Sequence, residues 1–128
     1  MRLIILLLVT VGCGETGLRQ TQVTWDTRLL PIISAFEKDC GVDVRVSSIG
    51  FGNTDGPNEL GYCMGTSQIV LASWLDEYLW DLVLYHELGH CALGLGHSKG
   101  IMSAELDIND SIYDNWDNKV KQLCRSYK

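Results

Sequence analysis

The sequence predicts an α+β domain. A short mixed β-sheet packs on a backing helix and on a second, buried helix, followed by a turn and a C-terminal helix. Three observations carry this. Apolar residues recur at helical spacing in three separate stretches, they alternate singly between the first two, and glycine-containing runs divide the segments. At 128 residues the chain makes one domain with a single core and little to spare.

Leu29, Ile32, Ile33 and Phe36 fall on one helical face, which predicts a helix from about Thr27 to Asp39. Pro31 suits its first turn, and Gly41 is placed to cap its end. Val42, Val44 and Val46 then alternate with Asp43, Arg45 and Ser47, the pattern of a strand with one buried face. Gly50 to Glu59 is a loop by composition. Its Asn53, Asp55, Asn58 and Glu59 offer oxygen ligands to Ca²⁺, although an ordinary Asx-turn loop accounts for the same residues. Leu60 to Met64 and Ser67 to Ala72 read as strands joined at Gly65-Thr66 in a hairpin.

Ser73-Trp74-Leu75-Asp76 has the form of a capping box, with Asp76 and Glu77 near the positive end of the helix dipole. From Trp74 to Leu93 the residues are apolar almost all round, so this helix is expected to be buried until Gly94 ends it. Ser98 to Ser103 forms a tight turn. Asn109 is a good N-cap for a last helix from Asp110 to about Ser126, with Ile112, Trp116, Val120 and Leu123 on its apolar face.

All three histidines lie in one window, His86-Glu87-Leu88-Gly89-His90 through Gly94-Leu95-Gly96-His97. On a helix, His86 and His90 project from one face about a turn apart, a spacing that suits two ligands on one Zn²⁺. Glu87 stands beside them, able to take a proton from water at the metal. His97 supplies the third ligand, and a fourth position left open separates a catalytic zinc site from a closed structural one. Within a hydrophobic helix these polar groups are costly unless partnered, and a metal is a partner.

The N-terminal residues suggest export. One positive charge precedes the apolar run Leu3 to Val11, which is too short to span a bilayer and reads as a signal peptide over residues 1–12. The junction Val11-Gly12-Cys13-Gly14 resembles a bacterial lipobox, with Thr10 in place of the usual leucine; this makes Cys13 the lipidation site. Residues 13–25 would then tether a domain formed by residues 26–128. The protein is expected in a bacterial envelope, held to the membrane only through this anchor, or otherwise secreted. Cys40, Cys63, Cys91 and Cys124 remain, an even number that suggests two disulfides outside the cytosol; sequence alone allows three connectivities. Net charge is −6 with no basic cluster, which argues against nucleic acid as a partner.

With these residues in place the chain resembles the metzincin metallopeptidases, whose signature is H-E-x-x-H-x-x-G-x-x-H followed by a methionine turn. His86, Glu87, His90 and His97 match the ligands and general base, Gly94 the helix-ending glycine and Met102 the turn methionine. The likeness is strongest to matrix metalloproteinases and covers roughly residues 27–126. One departure stands out: six residues separate His90 from His97, where the family has five. Glycines at 94 and 96 can absorb the added residue; Glu105 and Asp107 are the carboxylates nearest to hand as substitutes for His97. The tyrosine found in some members two residues after the methionine is Ala104 here, with Tyr113 as a distant candidate for its role.

The resemblance implies a zinc endopeptidase with one catalytic Zn²⁺, acting on a protein or peptide substrate as a monomer. The substrate would pair with the edge strand at Leu60, Gly61 and Tyr62. The active-site helix would pack on the C-terminal helix through Ile112, Trp116 and Val120, which favours Cys91–Cys124 and leaves Cys40–Cys63. A zinc-binding surface protein without activity, or a zinc amidase acting on cell-wall peptides, shares the same motif.

Overall fold

In the computed structural model, which describes residues 23–106, 108–109 and 111–127, the stripe of Leu29, Ile33 and Phe36 is fully buried, as helical spacing demands. The segment begins as a 3₁₀ turn, Thr27–Leu29, where the Asp26 carboxylate accepts the Arg28 N–H at 2.9 Å. Helix α1 follows over Leu30–Cys40, with Pro31 in its first turn, and Gly41 closes it in the left-handed conformation at φ 66°. Signal peptide, Cys13 and the start of the tether lie outside the described residues.

The segment expected as a strand from Val42 to Ser47 joins no ladder. Val44 and Val46 are buried as the alternation requires. Their backbone groups, however, bond to side chains: Val44 N–H donates to Glu37 Oε2 at 2.9 Å, and Trp25 Nε1–H donates to the Val46 carbonyl at 2.7 Å. One-sided burial reports packing and does not by itself report pairing. The ladder starts one step later, with β2 at Ser48–Gly52, so the expected loop begins at Asn53.

The sheet has four strands in the order β1-β2-β4-β3, with β1 at Thr24–Trp25, β3 at Gly61–Met64 and β4 at Gln68–Ala72. Strands β1 and β4 both run parallel to β2, while β3 pairs antiparallel with β4 through the predicted hairpin. Strand β1 precedes the 3₁₀ turn directly and joins the sheet beside β2. Strand β3 is an edge, so one row of its backbone groups is open to an added strand.

The buried helix, α2, spans Trp80–Cys91, several residues shorter than its apolar run. Leu75 N–H bonds the Ala72 carbonyl and Leu79 N–H bonds that of Asp76, so the approach consists of turns and a short 3₁₀ segment, Glu77–Leu79. Every residue from Leu82 to Gly89 is buried, because α2 is enclosed by β3 and β4, by α1 and by the turn Gly100–Met102. The last helix, α3, spans Trp116–Tyr127. It starts later than expected because Asn115 sits at φ 58°, which breaks helical continuity, and because Asn109 caps a local turn through Ser111 N–H instead.

Both expected disulfides form, with a different pairing: Cys40–Cys124 and Cys63–Cys91. The reason is which face each helix turns to which neighbour. Helix α3 lies against α1 and the Gly100–Met102 turn, so Cys124 meets Cys40 at the end of α1. Cys91 lies on the sheet side of α2, where its Sγ is 3.7 Å from the Gln68 carbonyl and β3 delivers Cys63. Two such bridges fit an oxidising compartment. Each is worth roughly 3–5 kcal/mol for loops of this length. No helix among the described residues is long and apolar enough to cross a membrane. Peptide mapping without reduction should recover Cys40–Cys124 and Cys63–Cys91; a Cys91–Cys124 fragment would contradict the helix packing described here.

Candidate metal centre

Helix α2 carries His86 and Glu87 into the core, where they are 5% and 6% exposed. His90 is one turn on and half-buried. After Cys91 the chain turns through Ala92 and Leu93 to Gly94, at φ 69°, a conformation in which a side chain would be strained. The Gly94–Gly96 loop then doubles back and returns His97 to the two helical histidines. The ring centres of His90 and His97 are 4.8 Å apart, and those of His86 and His97 are 5.4 Å apart.

Two hydrogen bonds set the chemistry of the helical pair. His86 Nδ1 lies 2.6 Å from the Ile101 carbonyl, and His90 Nδ1 lies 2.7 Å from the Leu95 carbonyl. A carbonyl oxygen only accepts, so in each neutral ring the proton sits on Nδ1 and Nε2 carries a lone pair. The two Nε2 atoms face each other at 3.2 Å. Two acceptors held this close repel unless a positive charge lies between them. Burial, the largest influence on His86, pushes its imidazole toward the neutral form, with the charges of His90 and His97 acting the same way against the Ile101 bond.

The residues fit a metal ion. The two Nε2 atoms, 3.2 Å apart, are close enough to share one metal ion. The ligand atoms of all three histidines lie within 4.8 Å of one another, and an ideal tetrahedral site would place them about 3.3 Å apart. His97 is exposed on the loop that follows Gly96. Two imidazoles anchored through Nδ1, with a third histidine beside them, form a donor set that could hold a metal ion.

Glu87 points into the same space. Burial raises its carboxyl to about 7, helped by the negative charge of Glu59. A dication beside it would pull the proton off again. The space is an open cleft of about 1010 Å³ between α2, the β3 edge and the chain after the Met102 turn. Leu60, Gly61 and Tyr62 line it.

Met102 lies in the short 3₁₀ turn Gly100–Met102, 2% exposed, directly against Gly89. A Cβ on Gly89 would overlap Met102 Sδ and crowd Leu123. Gly89 is thus what lets the turn sit close under the helix between the two histidines, and the sequence analysis missed it. A glycine inside an apolar helix, at a cost of about 1 kcal/mol against alanine, was the available signal. The carbonyls of Leu95 and Ile101 left no signal, since every residue has one. Glu105 is exposed along the cleft wall, outside the histidine cluster; Asp107 lies outside the described residues. Tyr113 is occupied elsewhere, its hydroxyl donating to the Tyr78 carbonyl at 2.6 Å. In the loop before Leu60, Glu59 Oε1 accepts the Asp55 N–H at 2.7 Å, a local contact of the turn kind.

The chain matches no protein-family model, no curated protein and no solved structure.

Purified protein should hold about one Zn²⁺ per chain by elemental analysis. His86→Ala and His90→Ala should each abolish it, and His97→Ala should weaken it strongly while leaving helicity unchanged. Zinc retained by both helix mutants would remove the site. Gly89→Ala should cost roughly 1–3 kcal/mol through overpacking, with part of the loss recovered in Gly89→Ala/Met102→Ala as read by denaturant unfolding.

Proposed function

We propose that the protein is a zinc-dependent endopeptidase with Glu87 as general base. One observation carries the proposal: a buried carboxyl with no hydrogen-bond partner among the described residues stands next to two histidine lone pairs in an open cleft. A structural metal site has no use for such a group, whereas hydrolysis needs a base within reach of water. The motif's likeness to metzincins supports the same reaction, and His97 as third ligand follows from it.

The metal, when bound, acidifies water and polarises a carbonyl oxygen. The chain's own residues do the rest. His86 and His90, fixed by their carbonyl partners, hold the metal on one side of the cleft. Edge strand β3 would align an extended substrate by backbone pairing. Glu87 accepts a proton from the attacking water, whose oxygen bonds to the carbonyl carbon. It then delivers that proton to the amine nitrogen as the carbon–nitrogen bond breaks. No side-chain nucleophile takes part.

Glu87→Ala should keep zinc and the fold while losing about 10²–10⁴-fold or more in hydrolysis. A peptide-library digest with this variant as control tests the reaction. Cleavage at the wild-type rate by Glu87→Ala would remove the assigned base. Zinc binding without turnover by either protein would favour a non-catalytic metal protein, and cleavage confined to cell-wall peptides an amidase. Export through a lipidated Cys13 belongs to the same proposal: Cys13→Ser should move the protein from the membrane fraction to the soluble one, and an unchanged distribution with an uncleaved N-terminus would refute the anchor.

A further inference from the structure

Backbone pairing with β3 would treat all extended peptides alike, so selectivity must come from the side chains around the cleft. Two features of that lining stand out. Trp74 and Ile108 are 53% and 48% exposed, both on the cleft surface, an unusual display of large apolar groups beside a polar site. The charged residues of the lining, Glu59, Glu87 and Glu105, are all acidic, and no lysine or arginine is among the described residues that form it.

The two outer glutamates lack a cation. Among the described residues the only ion pair is Arg28–Asp26, on a different surface. Glu59 is held in place because its Oε1 accepts the Asp55 N–H at 2.7 Å, and its charge reaches Glu87 across the cleft. Glu87 itself, 6% exposed and without a hydrogen-bond partner among the described residues, marks independently that this cleft receives a ligand. A bound dication would be balanced in part by Glu87 and would act at the carbonyl being polarised. Glu59 and Glu105, the other two carboxylates of the lining, face whatever flanks it.

Resting on the peptidase reading, we propose that the cleft selects extended cationic amphipathic peptides. Apolar side chains lie on Trp74 and Ile108, and a lysine or arginine faces Glu59 and Glu105. Acidic peptides are rejected by the same two carboxylates.

Binding tests this separately from catalysis. Three fluorescent octapeptides, blocked at both ends, share their apolar residues and carry lysine, glutamine or glutamate at the variable positions. Anisotropy is measured on the zinc-loaded, disulfide-bonded protein. The lysine peptide should bind about tenfold or more tighter than the glutamate peptide at low salt, with glutamine between them. High salt should compress the difference to about two- to threefold. Glu59→Gln/Glu105→Gln should close it without changing zinc content. Equal affinities for all three peptides, or no binding by any, overturns the selectivity, as does a difference that survives in the double variant. Cleavage of the same peptides is followed in parallel. Selective binding without hydrolysis removes the peptidase reading and leaves the selectivity standing. Hydrolysis of all three at equal affinity and rate does the reverse.

Discussion

The bonds from His86 Nδ1 to the Ile101 carbonyl and from His90 Nδ1 to the Leu95 carbonyl tie the loop after α2 back onto the helix at two points. Each does two things at once. It satisfies a backbone oxygen that would otherwise be left in a half-buried loop, and it fixes which imidazole nitrogen is free. The first tie holds the chain that carries Met102 against Gly89, and the second sets the start of the loop that returns His97. The arrangement of the histidines, the loop path and the core packing therefore share one set of contacts. Loss of any one of them loosens the others.

Burying Glu87 inside α2 is costly, since transferring a polar group out of water without a partner takes several kcal/mol, and His86 is relieved only through its Nδ1. The neighbouring residues on the helix offset it. Leu82, Val83, Leu84 and Leu88 are almost wholly enclosed, and each contributes roughly 1.5–3 kcal/mol of apolar burial. Tyr85 adds an edge-on contact with Phe36 at 5.2 Å and a hydrogen bond to Asp39 at 2.8 Å, joining α2 to α1. The helix can thus carry a polar pair on one side because its other sides are anchored to the sheet and to α1.

Which parts of this were legible follows from what leaves a local trace. The α1 stripe, Gly41, the β3–β4 hairpin, the apolar α2 and the histidine trio are all written in neighbouring residues, and each lies where the pattern puts it. Element ends were less legible, because Asn115 in the left-handed region and the turns before Trp80 have no periodicity to read. Val44 and Val46 misled in a specific way: they are buried, but Glu37 and Trp25 take the backbone bonds a neighbouring strand would have taken. Disulfide pairing was not legible at all. It depends on whether α3 leans on α1 or on α2, a long-range choice on which the four cysteine positions are silent.

The Cys63–Cys91 bridge has a mechanical consequence. It fastens the edge strand to the residue directly after His90, closing a span of 28 residues that contains His86, Glu87 and His90. That wall of the cleft is covalently braced. The opposite wall, with His97 between Gly96 and the exposed Ser98, is held instead by hydrogen bonds, from His90 Nδ1 to the Leu95 carbonyl and from Ser98 N–H to the Met102 carbonyl at 2.9 Å. Reducing agent would therefore act on the two walls unequally: it removes the brace between strand and helix and leaves the hydrogen bonds around His97 untouched.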